Sequence, residues 1–307
     1  MDFRIFIEPQ QGASYEEQLA IAQATERLGF DGFFRSDHFI SFHGGDGMPG
    51  PTDSWTTLAG LARETTRIAL GTMVSSVTFR YPGILAVQVA QVDAMSGGRA
   101  ELGLGAGWNA REHEAYGVPF PEKRFGIFEE QLAIISGLWA TPLGETFSFA
   151  GEHYTVVDSP ALPKPVQSPM PLIVGGAGQA KTPRLAATYA TEYNTGFVPL
   201  DELAATMDRV RNACTLVGRE PDDIIMGVPR TVAVGATEAA ASSRAEASFT
   251  DLASLRRDGI AGTADEAVDR ISAIQKLGVD RLYLQIVDFR DLDHLDFIAR
   301  EILPKLD

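Results

Sequence analysis

A single cysteine, Cys214, occurs among 307 residues. One thiol excludes an internal disulfide framework and a thiolate metal cluster, which suits a reducing compartment. Cys214 reads as a small residue on a helix over 201–217. Basic residues are also short: 26 Lys and Arg face 41 Asp and Glu, a formal charge of −15. No basic patch offsets that balance, so no nucleic-acid partner and no anionic membrane surface is expected. No apolar run approaches the roughly 18–20 residues of a membrane span. The start, MDFRIFIEP, lacks the basic lead and long apolar stretch of a secretory signal, so a cytoplasmic protein is expected. Histidines and carboxylates never fall at HExxH or similar spacing, and no metal site is expected.

What the chain has is alternation. Short apolar β-like runs at 2–8, 30–39, 67–77, 99–107, 170–178, 191–197, 224–235 and 280–287 are each followed by a helix-length amphipathic segment. Helix starts are signalled locally. Ser14 and Glu17 form a capping-box pattern before a helix ending at Gly29, and Pro82 stands in the first turn of a helix over 81–98. Strands alternating with helices argue a parallel sheet, and eight such units at this length predict a closed (β/α)8 TIM barrel, a single domain over 1–307. Two insertion segments exceed its needs. FSFAGEHYTVV within 141–169 reads as a small hairpin with a Pro-rich return, and 236–262 is left over. Residues that choose a substrate are expected in 40–52, 141–169 and 236–262, where GGDGMPGP at 44–51 reads as a solvated loop or a lid.

A barrel puts its chemistry at the C-terminal ends of its strands. Those ends hold Asp37 and His38, Met73 to Ser76, Ala106 to Asn109, and Gly175 to Gly178. A histidine beside a carboxylate suits a general acid or base near neutral pH, although a lone histidine is more often structural. His113 between Glu112 and Glu114 reads as part of a solvated loop. GAGWNA at 105–110 fits a dinucleotide fingerprint, but REHEAYG follows where that motif needs a small apolar helix face. GGAGQAKT at 175–182 has Ala180 where a phosphate-binding loop needs glycine. A glycine-rich turn before a helix still offers free amides to an anion. Trp108, set among Gly103, Gly105 and Gly107, is either core or a wall for a planar ligand, and glycines so spaced suggest close approach by a ligand.

SDHF at 36–39, LGTMVSS at 70–76, the block TFRYPGILAVQVAQVDAMSGGRAELGLGAGWNAREHEAYGVPFP at 78–121, and PLIVGGAG with KTPRLAATYATEYN in 171–194 together resemble the bacterial luciferase-like flavin and deazaflavin oxidoreductases. The likeness is nearest to the branch dependent on coenzyme F420. It implies a (β/α)8 barrel with an insertion at the site's mouth, a homodimer, and a separate F420 or flavin reductase in the pathway. It also implies hydride transfer between F420 and a small-molecule substrate, in the direction of reduced F420 to an activated C=C or C=N bond. By the same likeness, Met73-Val74 is a non-prolyl cis peptide backing the cofactor ring, and His38 is the catalytic acid/base, facing the ring with Asp37. Ser75, Ser76, Ala106, Gly107 and Asn109 contact the cofactor, Gly175, Gly176, Ala177 and Gly178 hold its phosphate, and Trp108 shapes the substrate side. Sugar-phosphate dehydrogenases of this family carry an acidic residue about where Trp108 stands. FMN monooxygenases often have an EHH-like sequence in place of SDH, which favours F420 and leaves FMN with O2 as the alternative.

Overall fold

The computed structural model describes residues 1–42 and 47–306. Among these residues eight parallel strands close into a barrel: β1 (Asp2–Ile7), β2 (Gly32–Arg35), β3 (Ala69–Thr72), β4 (Ala100–Gly105), β5 (Leu172–Gly175), β6 (Glu192–Asn194), β7 (Ile225–Val234) and β8 (Arg281–Gln285). Each pairs with the next in sequence, and β8 closes on β1 with Phe3 opposite Leu282 and Ile5 opposite Leu284. The expected (β/α)8 barrel is the fold.

Its outer helices are α1 (Tyr15–Arg27), α2 (Ser54–Glu64), α3 (Pro82–Ser96), α4 (Arg124–Ala140), α5 (Lys181–Tyr189), α6 (Leu200–Leu216), α7 (Ala264–Lys276) and α8 (Leu292–Phe297). The start of α1 is fixed as its sequence dictates: Ser14 Oγ accepts the Glu17 amide while the Glu17 carboxylate accepts the Ser14 amide. Thr263 and Glu266 repeat the device on α7. The final helix is shorter than its pattern suggests. It widens over Ile298–Ile302 and tightens over Leu303–Lys305, where Pro304 has no amide with which to continue. No helix of the described residues is long and apolar enough to cross a membrane.

The barrel interior is layered. Near the strand starts Arg4 Nη1 donates to Glu101 Oε2 at 2.7 Å, and Arg281 Nη1 donates to Glu192 Oε2 at 2.7 Å. The Tyr283 hydroxyl completes the layer on Glu192 Oε1 at 2.8 Å. Burial raises the pKa of Glu192, against the pull of Arg281 and Arg4. Phe6, Phe34, Met73, Ile173 and Tyr283 form an apolar layer next to these groups. The floor of the interior is thus filled, and a cavity opens toward the strands' C-terminal ends.

The two extra segments take different places. The 141–169 segment does form an antiparallel hairpin, Phe147–Ala150 with Thr155–Ser159. It packs outside α4 and lines no part of the cavity described below, contrary to the role in substrate choice expected for it. Asp93 of α3 holds its proline-rich return there, accepting the amides of Val166 and Gln167 and the Gln167 side-chain amide. The 236–262 segment forms two short helices, Glu238–Ala247 and Leu252–Asp258, and a strand Ile260–Gly262 that pairs with the end of β7. It has its own small core of Ala233, Ala241, Ala245, Leu252, Leu255 and Ala261. Of the loop expected at 44–51, residues 44–46 lie outside the described residues.

Candidate active site

All eight strands deliver residues to one cavity of about 930 Å³ at their C-terminal ends. Phe6 and Glu8 come from β1, Ser36 and His38 from β2, Gly105 to Trp108 from β4 and Gly175 to Gly178 from β5. From the 236–262 segment come Ser248, Phe249, Thr250, Ser254, Leu255 and Asp258.

The stretch read as one strand over 67–77 is β3, then a cis Met73-Val74 peptide, then Ser75–Ser76, which pairs with the end of β4. Met73, Val74 and Ser76 line the cavity. Glycines surround Val74: a Cβ at Gly105 would stand 2.8 Å from its Cγ2, and one at Gly175 2.8 Å from its Cγ1. Part of the glycine pattern is therefore answered by Val74 rather than by a ligand. The valine needs those gaps to lie flat across β4 and β5, where it forms an apolar patch on the cavity wall.

His38 is held from one side. Its Nδ1 lies 2.9 Å from Glu112 Oε2, and the Phe39 amide donates to the other oxygen of the same carboxylate. A carboxylate can only accept, so the Nδ1 proton belongs to this bond and Nε2 of the neutral ring carries a lone pair. His38 lines the cavity, and its Nε2 has no partner among the described residues. Two rings complete the surroundings: Phe42 at 4.7 Å and Trp108 at 5.8 Å between centroids. Trp108 is 64% exposed and lines the cavity, so it is not part of the core.

Three expected contact residues do not line the cavity. The Asp37 carboxylate accepts from Ser75 Oγ at 2.7 Å and from Arg80 Nη2 at 3.2 Å, while Arg80 also reaches Asp53 at 2.7 Å. Just past the end of β2, Asp37 turns away from the cavity to this network, while His38, next in the chain, faces the cavity. Asn109 caps a short helix, Ala110–Ala115, that was expected to be loop. On that helix His113 is buried, not solvated: Nδ1 bonds Asn109 O at 2.7 Å and Nε2 bonds Thr78 Oγ1. The remaining expected residues, Ala106, Gly107, Gly175, Gly176, Ala177 and Gly178, lie on the cavity wall.

Residues 1–257 match the family model described as luciferase-like monooxygenase. The chain belongs to this family. Among curated relatives of this luciferase-like chain, an F420-dependent glucose-6-phosphate dehydrogenase of Microbacterium testaceum is 34% identical over 214 residues, 68% of this chain and 61% of that one. The chain thus spans less than two thirds of that relative. Its counterpart in Beutenbergia cavernae is 28% identical and matches 94% of this chain and 92% of its own length. An F420-dependent secondary alcohol dehydrogenase, solved with an F420-acetone adduct, superposes with a TM-score of 0.86 over 100% of this chain and 99% of that one, at 19% identity. At that identity the likeness speaks for the luciferase-like barrel alone.

Glu112 is the residue that sequence reasoning passed over. It is 74 positions from His38, and Asp37, adjacent in sequence, was the more visible carboxylate.

Proposed function

We propose that the chain is a cytoplasmic oxidoreductase that holds coenzyme F420 and moves a hydride between the deazaflavin ring and a small organic substrate. The observation that carries this reading is that His38, oriented by Glu112, opens onto the same cavity as the Val74 patch and the Gly175–Gly178 turn. The residues present fit such a group. Val74 offers an apolar, flat surface that a Cβ at Gly105 or Gly175 would push out of place. The turn leads into α5, whose first amides and dipole suit a phosphate. The amide of Gly176 is already used by Asn194 O at 3.0 Å, so Ala177, Gly178 and the first turn of α5 are the donors available.

When bound, the deazaflavin supplies a ring carbon that accepts or gives the hydride. Met73, Val74, Ser76, Ala106 and Gly107 would lie against the ring, and Asp37, Ser75 and Asn109 would support that wall from behind. His38 takes the substrate's proton at Nε2 and returns it in the reverse direction, while Phe42 and Trp108 keep water from the reacting atoms. The F420 dependence of the two curated relatives supports F420 as the cofactor. The family's description as monooxygenase supports a second reading, reduced FMN with O2. A homodimer and a separate F420 or flavin reductase belong to the same proposal.

Titration of cofactor-free protein with F420 and with FMN, followed by cofactor fluorescence, tests it. Saturable F420 binding at about micromolar affinity, with weaker FMN binding, is expected. A preference for FMN would replace the hydride reading with oxygen insertion.

A further inference from the structure

We propose that this site takes an uncharged, largely apolar substrate, held against the rings of Phe42 and Trp108, and not a phosphorylated or carboxylated one. The inference deepens the reading above and rests on it in placing a flat cofactor over Val74. Among the described residues the cavity lining contains neither lysine nor arginine, and its carboxylates are Glu8 and Asp258. A phosphate enclosed beside carboxylates loses its water and gains no counter-charge, a combination that proteins avoid. The cations near the lining stand outside it: Lys181 and Arg257 are exposed, and buried Arg230, between the lining residues Pro229 and Thr231 of β7, is turned to the strand's other face, where its Nη1 donates to Pro229 O. Lys181 Nζ lies 5.4 Å from the Phe125 ring centre, and Arg257 Nη2 lies 3.3 Å from Ser254 Oγ. Lys181 opens α5 behind the Gly175–Gly178 turn, where it complements the cofactor's own anion.

What faces His38 instead is aromatic. Phe42 and Trp108 lie 5.1 Å apart between ring centroids and both contact His38 edge-on. Phe197 and Phe249 add half-exposed rings to the same cavity. Exposed aromatic surface gathered in a concave site is covered favourably by an apolar ligand. This lining does not suit glucose 6-phosphate, the substrate in the names of the curated relatives. The anion-accepting turn described in this lining is Gly175–Gly178, and F420 occupies it in this reading.

Ligand-observed NMR titrations of cofactor-loaded protein test the proposal, with 2-cyclohexen-1-one as the uncharged probe and glucose 6-phosphate as the anionic one. The enone is expected to saturate, and Trp108→Ala and Phe249→Ala each to weaken it about three- to ten-fold, the size of a lost ring contact. Both side chains are more than half exposed, so neither change threatens folding. Glucose 6-phosphate is expected to show no saturable binding. Tighter binding of glucose 6-phosphate than of the enone overturns the proposal, as does an enone that fails to saturate or that neither substitution affects. The titrations are run on protein loaded with F420 and with FMN. If FMN alone loads, the cofactor assignment fails while the ranking of the two probes still decides the substrate class.

Discussion

His38 Nδ1 and Glu112 Oε2 stand 2.9 Å apart, joined across 74 residues by the fold of β2 and the helix Ala110–Ala115. Glu112 does not reach the cavity, so its role is to hold the ring's tautomer and direction. His38→Ala is expected to lower kcat by about 10²–10⁴-fold and leave cofactor affinity within a few-fold. Glu112→Gln keeps the shape but cannot accept from both His38 and the Phe39 amide, and is expected to lower kcat by about ten-fold or more with little change in substrate KM. Because the two act as one unit, the double variant should be no slower than His38→Ala. Additive losses in steady-state kinetics would show that Glu112 acts independently.

Val74 and its glycines make a second pair of linked changes. Gly105→Ala puts a methyl 2.8 Å from a stiff valine Cγ and is expected to cost about 1–3 kcal/mol and to weaken cofactor binding. Val74→Ala opens that space again. The double variant should therefore recover part of the stability lost in Gly105→Ala, measured by urea midpoint; a plain sum of the two losses would contradict the packing described.

Asp37 should behave as a structural group. Its carboxylate is fully buried and shared between Ser75 and Arg80. Asp37→Ala leaves the largely buried Arg80 with Asp53 as its remaining ion-pair partner and a 3.3 Å bond to Ser54 Oγ, and a loss of about 3–5 kcal/mol in chemical denaturation is expected. Were Asp37 a proton donor instead, Asp37→Asn would abolish turnover while leaving stability unchanged.

His294, which does not line the cavity, sets an acid dependence of its own. The Val234 amide donates to its Nε2 at 3.3 Å, and burial, with help from Arg244 and against Asp291, pushes its pKa down to about 3. The unfolded chain takes up a proton near the usual 6.5 that the folded chain refuses. Stability should therefore fall as pH drops below about 6.5, by up to ~1.4 kcal/mol per pH unit, and the loss should level off near 3. Comparing urea midpoints at about pH 7 and 5.5 isolates this group from most carboxylates. His294→Gln should flatten the difference, and an equally steep response in that variant would assign the effect elsewhere.

Much of this molecule was legible in its sequence, and the reasons for the rest are specific. Capping residues such as Ser14 and Glu17 act within one turn, so the helix starts could be read directly. The eight strands could be read because each is a short apolar run bounded by polar turns. The His38–Glu112 contact could not, since it depends on how β2 and a helix 74 residues later meet in space. The orientation of Asp37 was hidden because it lies beyond the end of β2 and its partners, Ser75 and Arg80, stand 38 and 43 residues away in sequence. Glycines announced a close approach correctly, but the approaching group at Gly105 and Gly175 is Val74. The 236–262 segment gave little signal because its small core is made mainly of alanines.

That alanine-rich core has a consequence for how the protein can change. The segment contributes one wall of the cavity, yet its buried residues form a cluster apart from the main one around the barrel. Replacing Phe249 or Leu255, or exchanging 236–258 as a block with β7 retained, would recut the wall opposite His38 without disturbing Val74 or the Gly175–Gly178 turn. Redesign of that wall can thus proceed as a graft, with His38, Val74 and the Gly175–Gly178 turn inherited intact.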